Sequence, residues 1–299
     1  MRQDMNAPRT FRFAPSPNGY LHRGHAYSAV LNYRAAAATS GRFLVRIEDI
    51  DPTRDRDAFR REILDDLAWL GVSWEGPPMR QSERLDAYRE ALNALETLDL
   101  LYPSFLSRSE AGALILAAEL RGESVRRDPE GTPHYPGEER DWAKDRRRSE
   151  MASGRPYALR LDMERAVSGL GPLAWREENP FTDAGTDIAA EPAAWGDVVL
   201  ARRDAPASYH LAVTVDDMAQ DVTDVVRGDD LRAATSVHRL LQTLLGYSAP
   251  RYFHHPLILD ETGQKLSKSR DSETLRARRA AGETPEALIA GLGLPDYSR

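Results

Sequence analysis

The sequence contains no cysteine. That absence removes disulfides, a thiol nucleophile and cysteine-ligated zinc together. Long apolar runs are missing too. The longest, around residues 113–118, is far short of the ~20 residues a membrane span needs. Residues 1–9 carry charges and no apolar core, so no secretory signal is expected and the cytoplasm is the expected compartment. Lysine is nearly absent. It occurs at Lys144, Lys265 and Lys268, and the other 37 of the 40 basic residues are arginine.

What remains is ordinary globular usage: 299 residues, 41% hydrophobic and 29% charged. One large or two moderate domains fit this length. The net charge of -7 argues weakly against a nucleic-acid partner. A local basic patch would still be read by phosphate. The lysines carry more information. Two of them lie three residues apart in Lys265-Leu266-Ser267-Lys268-Ser269. Where arginine serves elsewhere, a retained pair of compact ammonium groups marks a place that needs a mobile point charge.

Hydrophobic patterning predicts a strand at 10–14, a helix at 26–39, a strand at 42–48 and a helix at 57–70. A further helix is expected at 82–98, with Ser82 as its N-cap. This alternation predicts a parallel α/β sheet. From 101 to 195 the pattern turns irregular, with one helix at 109–120 and short β-like pieces at 157–162 and 198–202. This stretch reads as an inserted subdomain. Strands are expected again at 209–215, 222–227 and 253–259, with a helix at 231–245 between them. Two short helices close the chain.

Residues 14–25 read APSPNGYLHRGH, between the first strand and the first helix. A His-x-Gly-His string at a helix start is suited to phosphate. The helix offers free N–H groups and a positive dipole end. Gly24 lets a nucleotide approach the backbone, and His22 and His25 can donate to phosphate oxygens. Either histidine alone would read as a satisfied or surface residue. The second element is the lysine loop, 240 residues after His25. Its two ammonium groups and two serines can grip a triphosphate as charge moves to the leaving pyrophosphate.

Together these pieces resemble the paired signatures of class I aminoacyl-tRNA synthetases, here HRGH and KLSKS. RFAPSPNGYLH, VRIEDIDP, QSERLDAY, YHLAVTVDD and VVRGDDL are similar, in the same order, to segments of the glutamyl-tRNA synthetase catalytic core. The resemblance covers most of 11–270, more weakly between 109 and 192. It implies a Rossmann-like class I synthetase nucleotide-binding α/β fold with an inserted α+β subdomain and a short helical C-terminal tail. The expected divisions are 1–100 and 197–271 for the two halves of the catalytic domain, 101–196 for the insert and 272–299 for the tail. Only 30 residues follow Ser269. The expectation is therefore no anticodon-binding domain, as in the stand-alone paralogues of this core, the glutamyl-Q tRNA(Asp) synthetases. The resemblance implies activation of L-glutamate by ATP with Mg2+, without tRNA. Glutamate then passes to the queuosine base at the wobble position of tRNA(Asp). It also implies a monomer that engages the anticodon stem-loop and no membrane.

Carried over residue by residue, the resemblance places Arg12, Ser16, Glu48, Tyr209 and Arg227 around the amino acid. Glu48 suits the ammonium and the arginines suit the carboxylates, through forked hydrogen bonds. Which arginine takes which carboxylate stays open. Pro15, His22, Gly24, His25 and Lys268 are expected at ATP, with His22, His25, Lys265 and Lys268 as the catalytic set. Asp216, Asp217, Asp49 and Asp51 read equally as site residues or turn formers. The chain departs from the family at a zinc site that many members carry in the insert. Ser104 and Leu106 stand where cysteines are expected, and Glu139 follows Tyr135 at the later position. Leu106 cannot ligate a metal, so no zinc is expected, and packing around Phe105 and Leu106 takes over its role. The basic run Arg140, Lys144, Arg146, Arg147 and Arg148 reads as a solvated face offset by neighbouring acids; contact with an anticodon stem is the other reading. Three alternatives remain at this point: a minimal glutamyl-tRNA synthetase charging a 3′ end, a nucleotidyltransferase, and an inactive tRNA-binding module.

Overall fold

The computed structural model describes residues 8–50, 57–202, 205–259 and 273–295. The chain begins with β1 (Thr10–Phe13), α1 (Arg23–Ala38), β2 (Arg42–Ile47), α2 (Asp57–Trp69), β3 (Met79–Arg80) and α3 (Leu85–Thr97). It continues through β4 (Leu101–Ser104), α4 (Arg108–Leu120), α5 (Lys144–Ala152), β5 (Ala158–Leu161), α6 (Met163–Val167), β6 (Ala174–Glu178), β7 (Gly185–Ala189) and β8 (Val199–Arg202). The remainder is α7 (Tyr209–Ala219), β9 (Asp224–Gly228), α8 (Thr235–Leu244), β10 (Arg251–His255), α9 (Leu275–Ala280) and α10 (Pro285–Ala290).

Seven strands form one sheet in the order β3-β2-β1-β9-β10-β6-β7. All neighbours are parallel except the β6–β7 pair. From β1 the chain moves outward to β2 and β3, and later returns to β9 on the other side. The gap between the C-terminal ends of β1 and β9 is thus a topological switch point, where open α/β sheets bind ligands. A separate antiparallel sheet, β4-β5-β8, stands beside this one.

The strand memberships cut across the expected segmentation. β6 and β7, within 101–196, extend the large sheet, because Tyr252 of β10 pairs with Glu177 of β6. β8, within 197–271, pairs with β5 in the small sheet. Alternation in WREE and TDIA was too short to show this beforehand.

Two cores stabilise the arrangement. Phe11, Phe43, Val45 and Ile47 of the central strands bury against Leu31 of α1 and Leu67 of α2, and the tail adds Leu275, Leu288 and Leu292. A second core joins α3, α7 and α8 to the small sheet through Leu95, Leu211, Leu240, Leu161 and Leu200. Burying one such leucine contributes about 1.5–3 kcal/mol. The tail is also tied by backbone: Leu275 N–H donates to Leu21 O at 2.8 Å, and Thr274 bridges His22.

Two expected elements differ. Residues 209–215, expected as a strand, open helix α7. Ser208 caps this helix at Leu211 N–H, and every residue from Leu211 to Asp217 is buried. A helix buried all round has no apolar stripe, so its sequence shows no period, and Val213 and Val215 favour the strand reading. Ser82 does not cap a helix. Its N–H and hydroxyl both donate to Asp49 at 2.8 Å. Residues Gln81–Glu83 form a 3-10 turn instead, and α3 starts at Leu85.

In the insert, the positions compared with zinc ligands form a hydrogen-bonded knot. Glu139 Oε1 accepts from Phe105 N–H and from the Tyr135 hydroxyl, both at 2.9 Å. Leu106 N–H donates to Tyr135 at 3.2 Å. Ser104 Oγ accepts from Arg160 Nε at 3.0 Å, and the Arg160 guanidinium lies 4.0 Å from the centre of the Tyr135 ring. Trp142 stacks on Phe105 at 5.8 Å. These groups do not fit a zinc ion: Leu106 offers no donor atom, Ser104 Oγ and Glu139 Oε1 are engaged in hydrogen bonds, and the one unpaired oxygen, Glu139 Oε2, cannot supply a tetrahedral ligand set alone. Among the described residues, no group of three or more histidine, aspartate or glutamate side chains is arranged for a metal. Glu139→Ala strands the Phe105 N–H and the Tyr135 hydroxyl. Each buried unpaired group costs about 1–3 kcal/mol, so urea unfolding should show a loss of about 2–6 kcal/mol. Exhaustive dialysis against a chelator should leave the unfolding midpoint unchanged.

Candidate active site

The loop after β1 runs straight into α1, and His22 caps that helix. His22 Nδ1 accepts from Gly24 N–H at 3.1 Å, and His25 Nδ1 accepts from His22 N–H at 3.2 Å. This is a reciprocal capping box made of two histidines. With Nδ1 accepting, each neutral ring carries its proton on Nε2. The rings lie 3.8 Å apart between centres. A Cβ on Gly24 would sit 3.1 Å from the His22 ring, so the glycine makes room for the cap itself. Pro15 is tied across the sheet end, where its carbonyl accepts Glu48 N–H at 3.0 Å. The backbone leading into Ser16 therefore runs beside Glu48. Lys265, Lys268 and Asp51 lie outside the described residues.

At the switch point the charged residues gather. Arg12 on β1 donates through Nε to Asp217 Oδ1 at 3.0 Å. Arg46 on β2 donates to the same oxygen at 2.7 Å and lies 3.8 Å from Glu48. Arg46 is 0% exposed, yet it occupies a strand of aromatic and branched residues. Burial acts against its charge, but Asp217 and Glu48 prevail and raise its pKa. Burial acts to raise Asp217, but Arg12 and Arg46 hold it below the usual carboxylate range. For Glu48 the balance reverses: burial outweighs the pull of Arg46 and Arg12, and its carboxyl is pushed up to about 7. Burial raises the Tyr209 hydroxyl above its ordinary value, with Glu48 and Asp217 acting in the same direction and Arg227 and Arg12 against it.

Arg227, on β9 across the switch point, is 6% exposed. Its partners are the Tyr209 hydroxyl at 3.3 Å, His238 Nδ1 at 3.2 Å, His254 Nε2 at 3.3 Å, Thr235 Oγ1 at 2.8 Å and Leu231 O at 3.1 Å. Among the described residues no carboxylate contacts it. The arrangement therefore contrasts one arginine whose charge is offset, Arg12, with one whose charge is not.

The aspartates left open by the sequence now separate. Asp217 joins the arginines. Asp216, its neighbour on α7, faces away and binds Gln81 at 3.0 Å, Arg84 at 2.6 Å and the Tyr88 hydroxyl at 2.7 Å. Asp49 holds Ser82 and Arg80. Neither Asp216 nor Asp217 sits in a turn. Arg46, His238 and His254 were missed. The signal for Arg46 was a charge within the apolar run of RFLVRI, since a parallel strand buried on both faces calls for an apolar side chain at every position.

Between the small sheet, α4 and residues 128–136 lies an open cavity of about 1390 Å³, reaching His210 of α7, whose walls include Phe105, Tyr135, Tyr157, Arg160 and Trp195. The basic run lies outside it and is largely engaged. Lys144 pairs with Asp99 at 2.8 Å, Arg148 with Asp145 at 2.5 Å, and Arg146 packs on the Trp142 ring. Among the described residues no helix is long and apolar enough to cross a membrane.

Comparison with known proteins agrees with this geometry. Residues 9–298 match the family model for tRNA synthetases class I (E and Q), catalytic domain. The chain is 44% identical to a glutamyl-Q tRNA(Asp) synthetase of Rhodobacter capsulatus, over 95% of this chain and 99% of that relative. It is 36% identical to a glutamate–tRNA ligase of Synechococcus sp., of which it spans 58%. The glutamate-tRNA synthetase structure from Elizabethkingia anophelis superposes with a TM-score of 0.77 at 26% identity, covering 96% of this chain and 61% of that one. A parallel sheet with its charged cluster at the switch point, and a match running end to end, place the chain in the class I tRNA synthetase family of the E and Q type, and within it among the glutamyl-Q tRNA(Asp) synthetases.

Proposed function

We propose that this protein activates L-glutamate with ATP and transfers it to the queuosine base at the wobble position of tRNA(Asp). The observation that carries this reading is the nearly complete overlap with the Rhodobacter relative. The charged cluster fits it chemically. Glutamate brings two carboxylates and an ammonium, and the switch point offers Arg12 and Arg227 on one hand and Glu48 on the other. Ser16 and Tyr209 add hydroxyls at the rim. In this reading Pro15, Gly24, His22, His25 and the N-terminus of α1 receive the nucleotide, and Lys265 and Lys268 take the departing phosphates. ATP enters as its Mg2+ complex, held through phosphate oxygens and water more than through protein ligands.

The reaction needs no enzyme nucleophile. A glutamate carboxylate oxygen attacks the α-phosphorus in line, the bond to the β-phosphate oxygen breaks, and pyrophosphate leaves. A hydroxyl of the modified base then attacks the carbonyl of glutamyl-adenylate. An ester forms and AMP departs. Positioning and preorganised charge supply most of the rate. The cavity beside α7, with aromatic and cationic walls, suits an unstacked base and its backbone.

The test uses labelled glutamate, ATP and tRNA(Asp) with and without queuosine, followed by nuclease digestion. Label on the wobble nucleoside of the modified tRNA is the expected result. Label on the 3′-terminal adenosine would make the chain a minimal charging enzyme instead.

Glu48 adds a pH dependence. An ammonium partner requires the ionised carboxylate, whose free-site pKa is about 7. Below that pH, glutamate must displace a proton to bind, so its KM should rise by up to about tenfold per pH unit. Above it the KM should level off. Glu48→Gln should bind weakly and lose this dependence, as read by ATP–pyrophosphate exchange between pH 5.5 and 8.5.

A further inference from the structure

Two buried histidines, His238 and His254, and the half-buried His210 form a directional chain with Arg227. A guanidinium only donates hydrogen bonds. His254 Nε2, 3.3 Å from Arg227 Nε, must therefore accept. Its proton then sits on Nδ1, which donates to Glu177 Oε2 at 2.8 Å. His238 Nδ1, 3.2 Å from Arg227 Nη1, must also accept. Its proton sits on Nε2 and is donated to His210 Nδ1 at 3.1 Å. All three rings are neutral in this arrangement. Burial and the Arg227 charge both favour that state, and they bring His210 down to about 4. Glu177 fixes the direction of the chain from one end. It also accepts from His254 N–H at 2.8 Å and from the Trp175 indole at 3.1 Å.

We propose that His238 and His254 are positioning residues for Arg227: they hold its guanidinium by accepting hydrogen bonds while bringing no negative charge to it. The proposal rests on reading Arg227 as a partner of a glutamate carboxylate. A carboxylate in either histidine's place would fix the fork equally well, but would cancel the charge that the substrate must meet, as Asp217 does for Arg12. Glu177 stands one imidazole further out. It sets the tautomer of His254 without touching the guanidinium. The remaining donors go to Tyr209, Thr235 and Leu231, which are also uncharged acceptors.

The experiment compares two substitutions of His238 in glutamate-dependent ATP–pyrophosphate exchange. His238→Asn places an amide oxygen near the position of Nδ1 and keeps the acceptor. His238→Leu removes it at similar volume. The expected result is a glutamate KM raised about tenfold or more in the leucine variant, with kcat within about threefold and the KM for ATP within about twofold. The asparagine variant should return to within about threefold of the parent. An unchanged glutamate KM in the leucine variant overturns the proposal. So does an asparagine variant no better than leucine, or a parallel rise in the KM for ATP, either of which signals a purely structural role. If the leucine variant does not fold, His254→Gln and His254→Leu pose the same comparison at Nε, with the same expected and overturning outcomes. A parent protein that shows no glutamate-dependent exchange would instead strike at the proposed function.

Discussion

Arg227→Leu should lower kcat/KM for glutamate by about a hundred- to a few thousandfold in ATP–pyrophosphate exchange. Breaking a buried charge pairing costs about 3–5 kcal/mol, and each 1.4 kcal/mol is tenfold. The full range applies because Arg227 is buried and, among the described residues, meets no carboxylate. Its charge is available to a substrate. Arg227→Lys should recover little, since an ammonium cannot meet five acceptors arranged for a planar fork. Binding of ATP alone should be unaffected. A leucine variant within about tenfold of the parent would mean that the substrate's carboxylate lies elsewhere.

Asp217→Ala should produce the largest loss of stability. The carboxylate serves Arg12 at 3.0 Å and Arg46 at 2.7 Å. Without it, Arg46 keeps Gln220 at 3.0 Å and a distant Glu48. Stranding a fully buried cation costs about 3–5 kcal/mol. At about 2–4 °C per kcal/mol, the unfolding temperature should fall by roughly 6–20 °C. The double variant Asp217→Ala with Arg46→Met should recover part of this, because the stranded cation is gone. That recovery, read as a coupling term, separates the ion cluster from simple loss of packing. Strictly additive effects would show that the two groups are not coupled.

The parallel sheet was legible because its centre obeys local rules. Strand, breaker and Ala-rich helix succeed one another from Thr10 to Thr39, and β2 carries five buried residues in six. The gathering of charged residues at one end of that sheet was legible through motif order. Arg12, Glu48 and Arg227 lie 36 and 179 residues apart in the chain and meet because β1, β2 and β9 are adjacent. Helix α7 was misread for a physical reason: a segment buried on all sides shows no face. Strands β6 and β7, the last two of the large sheet, were missed because short strands that carry charges are recognisable only by what they pair with. His238 and His254 were invisible for a related reason. Nothing local distinguishes a histidine that accepts from a guanidinium, since its role comes from a contact 11 or 27 residues away in sequence.

The charge balance at the switch point bears on which amino acids the site can hold. Arg12, Arg46 and Arg227 face Asp217 and an ionised Glu48, which leaves one positive charge in excess. Glutamate at neutral pH carries one net negative charge and would close that balance. Glutamine has nearly the same shape but no net charge, and its entry would leave a buried cation unanswered. Shape alone discriminates poorly between such isosteres, whereas an uncompensated charge in a water-poor site is costly. If Arg227 meets the substrate as proposed, the neutral cage around it would turn a surplus of charge into rejection of the amide.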